Sequence, residues 1–575
     1  MCGIFGIKGI NVNIETVRQE LEHRGPDFFA SKTASDWTFA HSRLSIIDLS
    51  EKGNQPIEID GDLLIFNGEI YNYIELKQEY LNNVETFSCS DAEILLLLLQ
   101  RYGLNILNKL NGMFAFAFFD NKNKSVHLVR DRYGVKPLYY WAKDGKFAFC
   151  SEDSALINIL KLPYIFNDEY KDLLIEKAIS DFDENTCIRD IYQVCPGEYL
   201  KINDDCSIEK TKWYNYSDYD CGCVDYEKDS EVIEHFEYLL TDSIKLRHRS
   251  DVPVAITLSG GLDSSLIYVL SKENLGTDYG VFTYSNKNKN LDEFEKVKRL
   301  TSEYGDRVTR IDYGDETLEI FSKSLQALNS PIWTPAHTAY YSVYKKINEN
   351  NYKVVIEGHG SDEILGGWAY TFPFAIKESL ANFKFKLSYD IYKAYKYCDL
   401  AEKSNSGLDF FQLFKFNKKD KNCFEGLLEY IFTKKVLPIN LRCWDRLSMA
   451  HSVESRSPFL DFRLVEFTKK LPLRYKINKI GNKAILRKIL YKYGKNYIAD
   501  NKLKQPYLAS EGDFLSENCR FLLKYYDNNK FNYDILNWEQ GNFSNGYDPR
   551  IYRAIAFEML REHYSKESLS NSCIF

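Results

Sequence analysis

The sequence has no apolar run long enough to cross a bilayer. Its longest aliphatic stretch, ILLLLL from Ile94, falls far short of the roughly 20 residues a spanning helix needs. It also has no sustained basic stripe: 74 Lys and Arg stand against 82 Asp and Glu, for a formal net charge of -8. That balance argues against a nucleic acid as the main partner. No leader with a basic start and an apolar middle precedes the first strand, and the 13 cysteines follow no framework spacing. A reducing cytoplasm is therefore the expected compartment. The closest cysteine pair, Cys221 and Cys223 in DYDCGCVDY, lacks the further ligands a metal site would require. Cys573 stands one position off the prenylation pattern, so nothing anchors the chain to a membrane. Internal repeats and long low-complexity segments are missing too. What is present is an acidic globular composition, 44% hydrophobic and 27% charged, over 575 residues. Such a length exceeds one hydrophobic core and implies two or three domains.

The first 200 residues read as short strands and hairpins: CGIFGI, LLIFNGEIYNY, then MFAFAFFD and SVHLVRD joined by NKNK. Periodicity fades between 203 and 228 into a polar, acidic stretch with scattered aromatics. We therefore divide the chain into a first domain at 1–205, a linker at 206–228 and a second domain at 229–575. In the second, an amphipathic helix carrying Phe236, Leu239, Leu240 and Ile244 on one face precedes the strand candidates VAITL, YGVFTYS, RVTRIDY and YKVVIEG. Helices alternate with these strands, which implies a mostly parallel sheet covered on both faces. Beyond about 370 the pattern is mainly helical.

Cys2 follows the initiator methionine. If Met1 is trimmed, one residue carries both a thiol and a free α-amine, whose reference pKa of about 7.7 to 8.0 lets it accept a proton near neutrality. Alone, Cys2 reads as a small apolar residue opening an edge strand, and Asn67-Gly68 reads as a hairpin turn. But HRGPD (His23 to Asp27), RLSIID (Arg43 to Asp48), NGEIYNY (Asn67 to Tyr73), SDAE (Ser90 to Glu93) and RDRYGVKPLYY (Arg130 to Tyr140) follow Cys2 in order. Together they resemble the class II glutamine amidotransferases, the N-terminal-nucleophile (Ntn) hydrolases that act on glutamine. The resemblance implies an α+β sandwich of antiparallel sheets with flanking helices. It assigns Cys2 to attack the glutamine amide and Asn67 and Gly68 to hold the oxyanion. Arg43, Leu44, Ser45, Ile46 and Ile47 are implied to border glutamine, with Arg43 on its α-carboxylate and Glu69 and Asp91 near its α-ammonium.

SGGLDSSL (Ser259 to Leu266) sits directly behind the apolar VAITL. A glycine-rich turn between strand and helix exposes backbone N–H groups to an anion. Asp263 stands where a Walker A loop would want a lysine, which makes sense if it holds magnesium. EGHGSDEILGG (Glu357 to Gly367) follows another apolar strand and supplies Asp362 as a second magnesium ligand. DRLSMAHSVESRSPFLD (Asp445 to Asp461) and GNKAILRKIL with Lys483 come later. In this order they resemble the synthetase domain of the asparagine synthetases, an α/β ATP-pyrophosphatase fold with a helical C-terminal part. The resemblance implies that Leu258, Ser259, Gly260, Gly261, Asp263, Ser264, Tyr284, Glu357, Gly358 and Lys483 bind ATP, with Mg2+ on Asp263 and Asp362.

The combined expectation is an enzyme that takes ammonia from glutamine, passes it internally, and delivers it to a carboxylate activated as an acyl adenylate. Aspartate is the first acceptor to consider, and a sugar acid or other biosynthetic carboxylate the alternative. Family members read SGEGSDE where this chain has EGHGSDE: His359 replaces the glutamate thought to assist amide formation, and Glu357 replaces a serine. His359 is kept as a candidate catalytic base. NSPIWTPAHTAYY (Asn329 to Tyr341) also departs from the family's aspartate-contacting segment. More distant readings are an ATP-independent glutamine:sugar-phosphate amidotransferase and a non-catalytic glutamine-binding protein. The sequence leaves a homodimer open.

Overall fold

The computed structural model describes residues 2–218, 228–285, 292–312, 318–396, 421–501, 511–527, 530, 533, 535–540 and 548–572. Cys221, Cys223 and Cys573 lie outside these residues. The first part contains twelve strands: β1 (Gly3–Lys8), β2 (Phe28–Ala34), β3 (Trp37–Arg43), β4 (Ile57–Ile59), β5 (Asp62–Ile70), β6 (Gly112–Asp120), β7 (Ser125–Arg130), β8 (Tyr139–Lys143), β9 (Lys146–Cys150), β10 (Tyr192–Gln193), β11 (Glu198–Ile202) and β12 (Ile208–Lys212). They form two six-stranded antiparallel sheets, ordered β10-β8-β9-β1-β3-β2 and β12-β11-β7-β6-β5-β4.

Strand alternation explains the layers. In β6, Ala115, Ala117 and Phe119 enter the core between the sheets, with Ile4, Phe39, Leu63, Ile65 and Phe149. Phe114, Phe116 and Phe118 face the other way, onto the helix Asp91–Tyr102 that contains the aliphatic run from Ile94. Asn67 and Gly68, read as a turn from sequence alone, lie inside β5 and pair with Ala115 and Phe114. Counting in twos from Leu63 and Ile65 puts Asn67 on the face that looks across to the other sheet, where Ile4 and Cys2 lie.

The second part is built on a parallel five-stranded sheet of β13 (Val254–Thr257), β14 (Gly280–Ser285), β15 (Val308–Asp312), β16 (Val354–Ile356) and β17 (Glu454–Arg456), ordered β15-β14-β13-β16-β17. Past residue 370 the described chain is mainly helical, as the sequence implies, and β17 is a short strand within it. Its sequence, Glu-Ser-Arg, carries none of the apolar signature of a buried strand, yet all three residues are buried. The physical reason is that its charges are neutralised by one another and by the first part of the chain. One apolar cluster joins Phe5, Ile7, Trp141 and Cys150 to Val355, Leu447 and Phe557, so the two parts share a core. Among the described residues, no helix is long and apolar enough to cross a membrane.

His337 ties the helices behind this sheet together: its Nδ1 lies 2.6 Å from Ser324 Oγ and its Nε2 2.8 Å from the Tyr552 hydroxyl. Burial pushes its pKa down to about 3. The unfolded chain, with an ordinary histidine near 6.5, takes up a proton that the folded chain refuses. Stability is thus fully present above about pH 6.5 and falls toward pH 3, by up to about 1.4 kcal/mol per pH unit for this group. Urea titrations at pH 7, 6 and 5 should show a shallower pH dependence for His337→Gln than for the parent chain, whereas parallel curves would show that His337 titrates normally.

Candidate active sites

The first site lies where the two antiparallel sheets meet at the amino terminus. The Cys2 backbone N–H donates to Asn67 Oδ1 at 3.1 Å, so the nitrogen that would become the α-amine is already oriented. Asn67 is fully buried, and its Nδ2 has no hydrogen-bond partner among the described residues. A buried donor without an acceptor is costly unless a ligand satisfies it. Here it stands beside a thiol, as an oxyanion formed at that thiol would require. Burial raises the Cys2 thiol pKa, against the pull of the terminal amine, the Leu44 N–H and Arg43. Gly68 has φ 147, and a Cβ built on it would lie 2.0 Å from Met113 O, so only glycine fits.

The other residues that the sequence resemblance assigns to glutamine are placed as follows. Arg43 is buried, and its guanidinium donates to neutral acceptors, among them Ser50 O at 2.8 Å and Asn54 Oδ1 at 2.7 Å. Leu44, Ile46 and Ile47 are buried in the adjoining core, and the Ser45 N–H donates to Asp27 Oδ2 at 2.6 Å. Glu69 and Asp91 are buried acids. Burial and the Asp91 charge hold Glu69 well above the usual carboxylate range, and burial lifts Asp91 to about 6. Two destabilised carboxylates in one place fit a cation.

The second site occupies the crevice at the carboxyl ends of β13 and β16. The chain winds from β13 outward to β15 and then returns to β16 on the other side, so these neighbours mark the reversal of strand order where open α/β sheets bind ligands. SGGLDSS leaves β13 with Gly260 at φ +72, and Gly261 caps the helix Leu262–Leu270. EGHGSDE leaves β16. Gly358 lets the loops close up, since a Cβ there would lie 3.0 Å from both Asp263 Cβ and the Ser264 nitrogen. Lys483 Nζ reaches Asp263 Oδ2 at 2.5 Å and Asp362 Oδ1 at 2.6 Å. Burial disfavours its ammonium, but the two carboxylates outweigh burial and raise its pKa.

A cavity of about 730 Å3 opens here, lined in part by Ser259, Gly261, Asp263, His359, Asp362 and Lys483. Gly260, Ser264, Glu357 and Gly358 also border it. Leu258, just past β13, and Tyr284, on β14, do not: both are buried in apolar clusters. His359 lies flat on Trp444, with ring centroids 3.6 Å apart and planes at 11°.

Sequence reasoning missed the charges joining the sites. Arg24, fully buried, donates from Nε to Cys2 O at 3.2 Å, from Nη1 to Glu152 at 2.7 Å and from Nη2 to Asp445 at 2.9 Å. Arg446 pairs with Glu152 at 2.6 Å and also with Asp153. Arg456 on β17 contacts Glu454 at 2.6 Å and Glu69 in the first site at 3.2 Å. Charged residues inside otherwise apolar or motif stretches, as in HRGPD and SVESR, were the available signal.

Residues 1–214 match the family described as glutamine amidotransferase domain, and residues 235–567 match asparagine synthase. The chain belongs to the asparagine synthase family. As such it is a glutamine amidotransferase with an ATP-utilising domain. Asparagine synthetase [glutamine-hydrolyzing] 2 of Bacillus subtilis is 29% identical over 85% of this chain and 69% of its own length. Putative asparagine synthetase [glutamine-hydrolyzing] 2 of Methanocaldococcus jannaschii is 30% identical over 64% of this chain and 76% of its own. Amidase chry2 of Gibberella zeae is 25% identical over 87% and 85%. For this asparagine synthase family member, Gly68→Ala should lower stability by more than about 1 kcal/mol, because it adds both strain and a clash. Urea midpoints and glutaminase assays should show both losses, and a folded, fully active variant would disprove the close approach.

Proposed function

We propose that the protein amidates a carboxylic acid with nitrogen from glutamine, through two separate reaction centres. Cys2, once freed of Met1, attacks the glutamine side-chain amide while its own α-amine takes the thiol proton. The Asn67 Nδ2 and Gly68 N–H stabilise the oxyanion, and the unpartnered Asn67 donor is the observation that carries this reading. Arg43 holds the α-carboxylate; Glu69 and Asp91 hold the α-ammonium, a use that fits their raised pKa values. In the second centre, the SGGLDSS loop and Lys483 hold the pyrophosphate of ATP while the acceptor carboxylate attacks the α-phosphorus, giving an acyl adenylate and pyrophosphate.

Asp263 and Asp362 fit a magnesium ion. Both contact one Lys483 ammonium, so one cation reaches both, and Asp263 Oδ1 is buried without a partner among the described residues. Mg2+ held there would neutralise charge on the leaving pyrophosphate.

Ammonia travels inside the protein to the adenylate, sheltered from protonation and from competition by water. The division into 1–205, 206–228 and 229–575 separates the two centres. The nine cysteines among the described residues are all free thiols, in keeping with a reducing cytoplasm. Aspartate is the acceptor the family favours. A different acid is the second reading, supported by His359 on Trp444 in place of the family glutamate and by a relative named an amidase.

A pyrophosphate-release screen with ATP, glutamine and a panel of carboxylates that includes aspartate tests the proposal. The parent enzyme should release pyrophosphate with at least one acid. Cys2→Ala should abolish turnover with glutamine and keep it with ammonium, and Asn67→Ala should lower glutaminase kcat by about 10²–10³. Asp263→Ala should eliminate pyrophosphate release and spare glutamine hydrolysis. Equal loss of the glutamine- and ammonium-dependent reactions in Cys2→Ala would rule out separate centres.

A further inference from the structure

The two departures from the family loop, Glu357 and His359, contact each other. Glu357 Oε2 lies 3.2 Å from His359 Nε2. The carboxylate also accepts hydrogen bonds from the Tyr344 hydroxyl at 2.7 Å, Ser455 Oγ at 2.5 Å and Thr257 Oγ1 at 3.1 Å. These donors come from three elements, the helix His337–Glu349, β17 and β13. Glu357 is buried, so it cannot swing toward a substrate. Burial alone would raise its pKa, but the imidazole and the surrounding donors overcome that and hold it below the usual carboxylate range. The imidazole is fixed in turn by its stack on Trp444. His359 Nε2 is buried on the Glu357 side, which leaves Nδ1 as the other ring nitrogen, and His359 lines the cavity together with Asp263, Asp362 and Lys483.

Resting on the function proposed above, we infer that Glu357 and His359 form a carboxylate–imidazole pair that replaces the single family glutamate as the base of amide formation. A carboxylate facing Nε2 favours the tautomer with the proton on that nitrogen, leaving the lone pair on Nδ1. Ammonia attacks the acyl carbon of the adenylate, forming the C–N bond. His359 Nδ1 takes one N–H proton from the adduct. The C–O bond to AMP then breaks, its electron pair leaving with the phosphate oxygen. The amide and AMP are the products, and the imidazolium, balanced by Glu357, passes its proton to solvent. His359 is the catalytic residue and Glu357 a positioning residue. The departure of EGHGSDE from SGEGSDE thus keeps a carboxylate and moves it two residues back, behind the imidazole it orients.

The test compares two partial reactions, using whichever panel acid gives the parent enzyme its fastest pyrophosphate release. ATP–pyrophosphate exchange reports adenylate formation, and amide formation from ammonium chloride reports the second step. Glutamine hydrolysis in each variant reports an intact fold. His359→Gln should slow amide formation by about 10²–10⁴ and exchange by far less. Glu357→Gln should lower kcat with ammonium by about tenfold or more, through the lost orientation, and Glu357→Asp should recover part of it. Hydroxylamine, whose adduct gives up its proton more readily, should narrow the deficit of His359→Gln. Equal slowing of exchange and amide formation in a folded His359→Gln, or an ammonium kcat in Glu357→Gln matching the parent, would overturn the pair. If no acid drives exchange in the parent enzyme, the proposed function itself falls, and this inference with it.

Discussion

The placement of both centres depends on a buried set of charges where the two parts of the chain meet. Arg24 has no solvent exposure, and its guanidinium is divided between the Cys2 carbonyl, Glu152 and Asp445. A charge so buried is tolerable only when its partners are in place, and removing one such partner typically costs about 3–5 kcal/mol. The geometry at Cys2 is therefore tied to a helix of the second part, Leu437–Met449, which carries Asp445 and Arg446. Arg456 makes a parallel tie: it sits on the edge strand of the parallel sheet and touches Glu69 in the glutamine site. Neither part can shift without exposing or orphaning these groups.

The same economy governs the nucleotide crevice. Two aspartates on adjacent loops would repel in a buried place, and Lys483, held at φ 50 at the start of the helix Ala484–Lys492, lies between them. One ammonium thereby contacts a carboxylate from each loop. Pyrophosphate would give the lysine a new anion, and a divalent cation would take over the carboxylates.

Much of this was legible in residue order. The apolar run VAITL before SGGLDSS, and YKVVI before EGHGSDE, placed two glycine-rich loops after strands, and the structure brings them side by side at the reversal of strand order. MFAFAFFD reads as a strand from sequence, and the structure adds that both its faces are buried. Asn67-Gly68 was harder, because the dipeptide favours a turn in isolation, and only pairing with Ala115 and Phe114 keeps it extended. β17 was invisible for a related reason: its Glu454 and Arg456 pair with each other, and Arg456 also meets Glu69 hundreds of positions away, which no local apolar pattern encodes. Leu258 is buried between Thr257 and Ser259, which line the cavity, and Tyr284 is buried in an apolar cluster, a difference that residue order does not reveal.

Sequence alone determined the chemistry on offer: a terminal thiol, an acidic pair, a lysine and two anion-binding turns, each tied to a short motif whose residue types carry the function. Tertiary structure decided which of these groups meet. It set Glu357 against His359, left the Asn67 Nδ2 without an acceptor among the described residues, and ran Arg456 against Glu69. Distances of this kind follow from strand register and from the burial of charge across the whole chain, and both are properties of the packed molecule that no single segment contains.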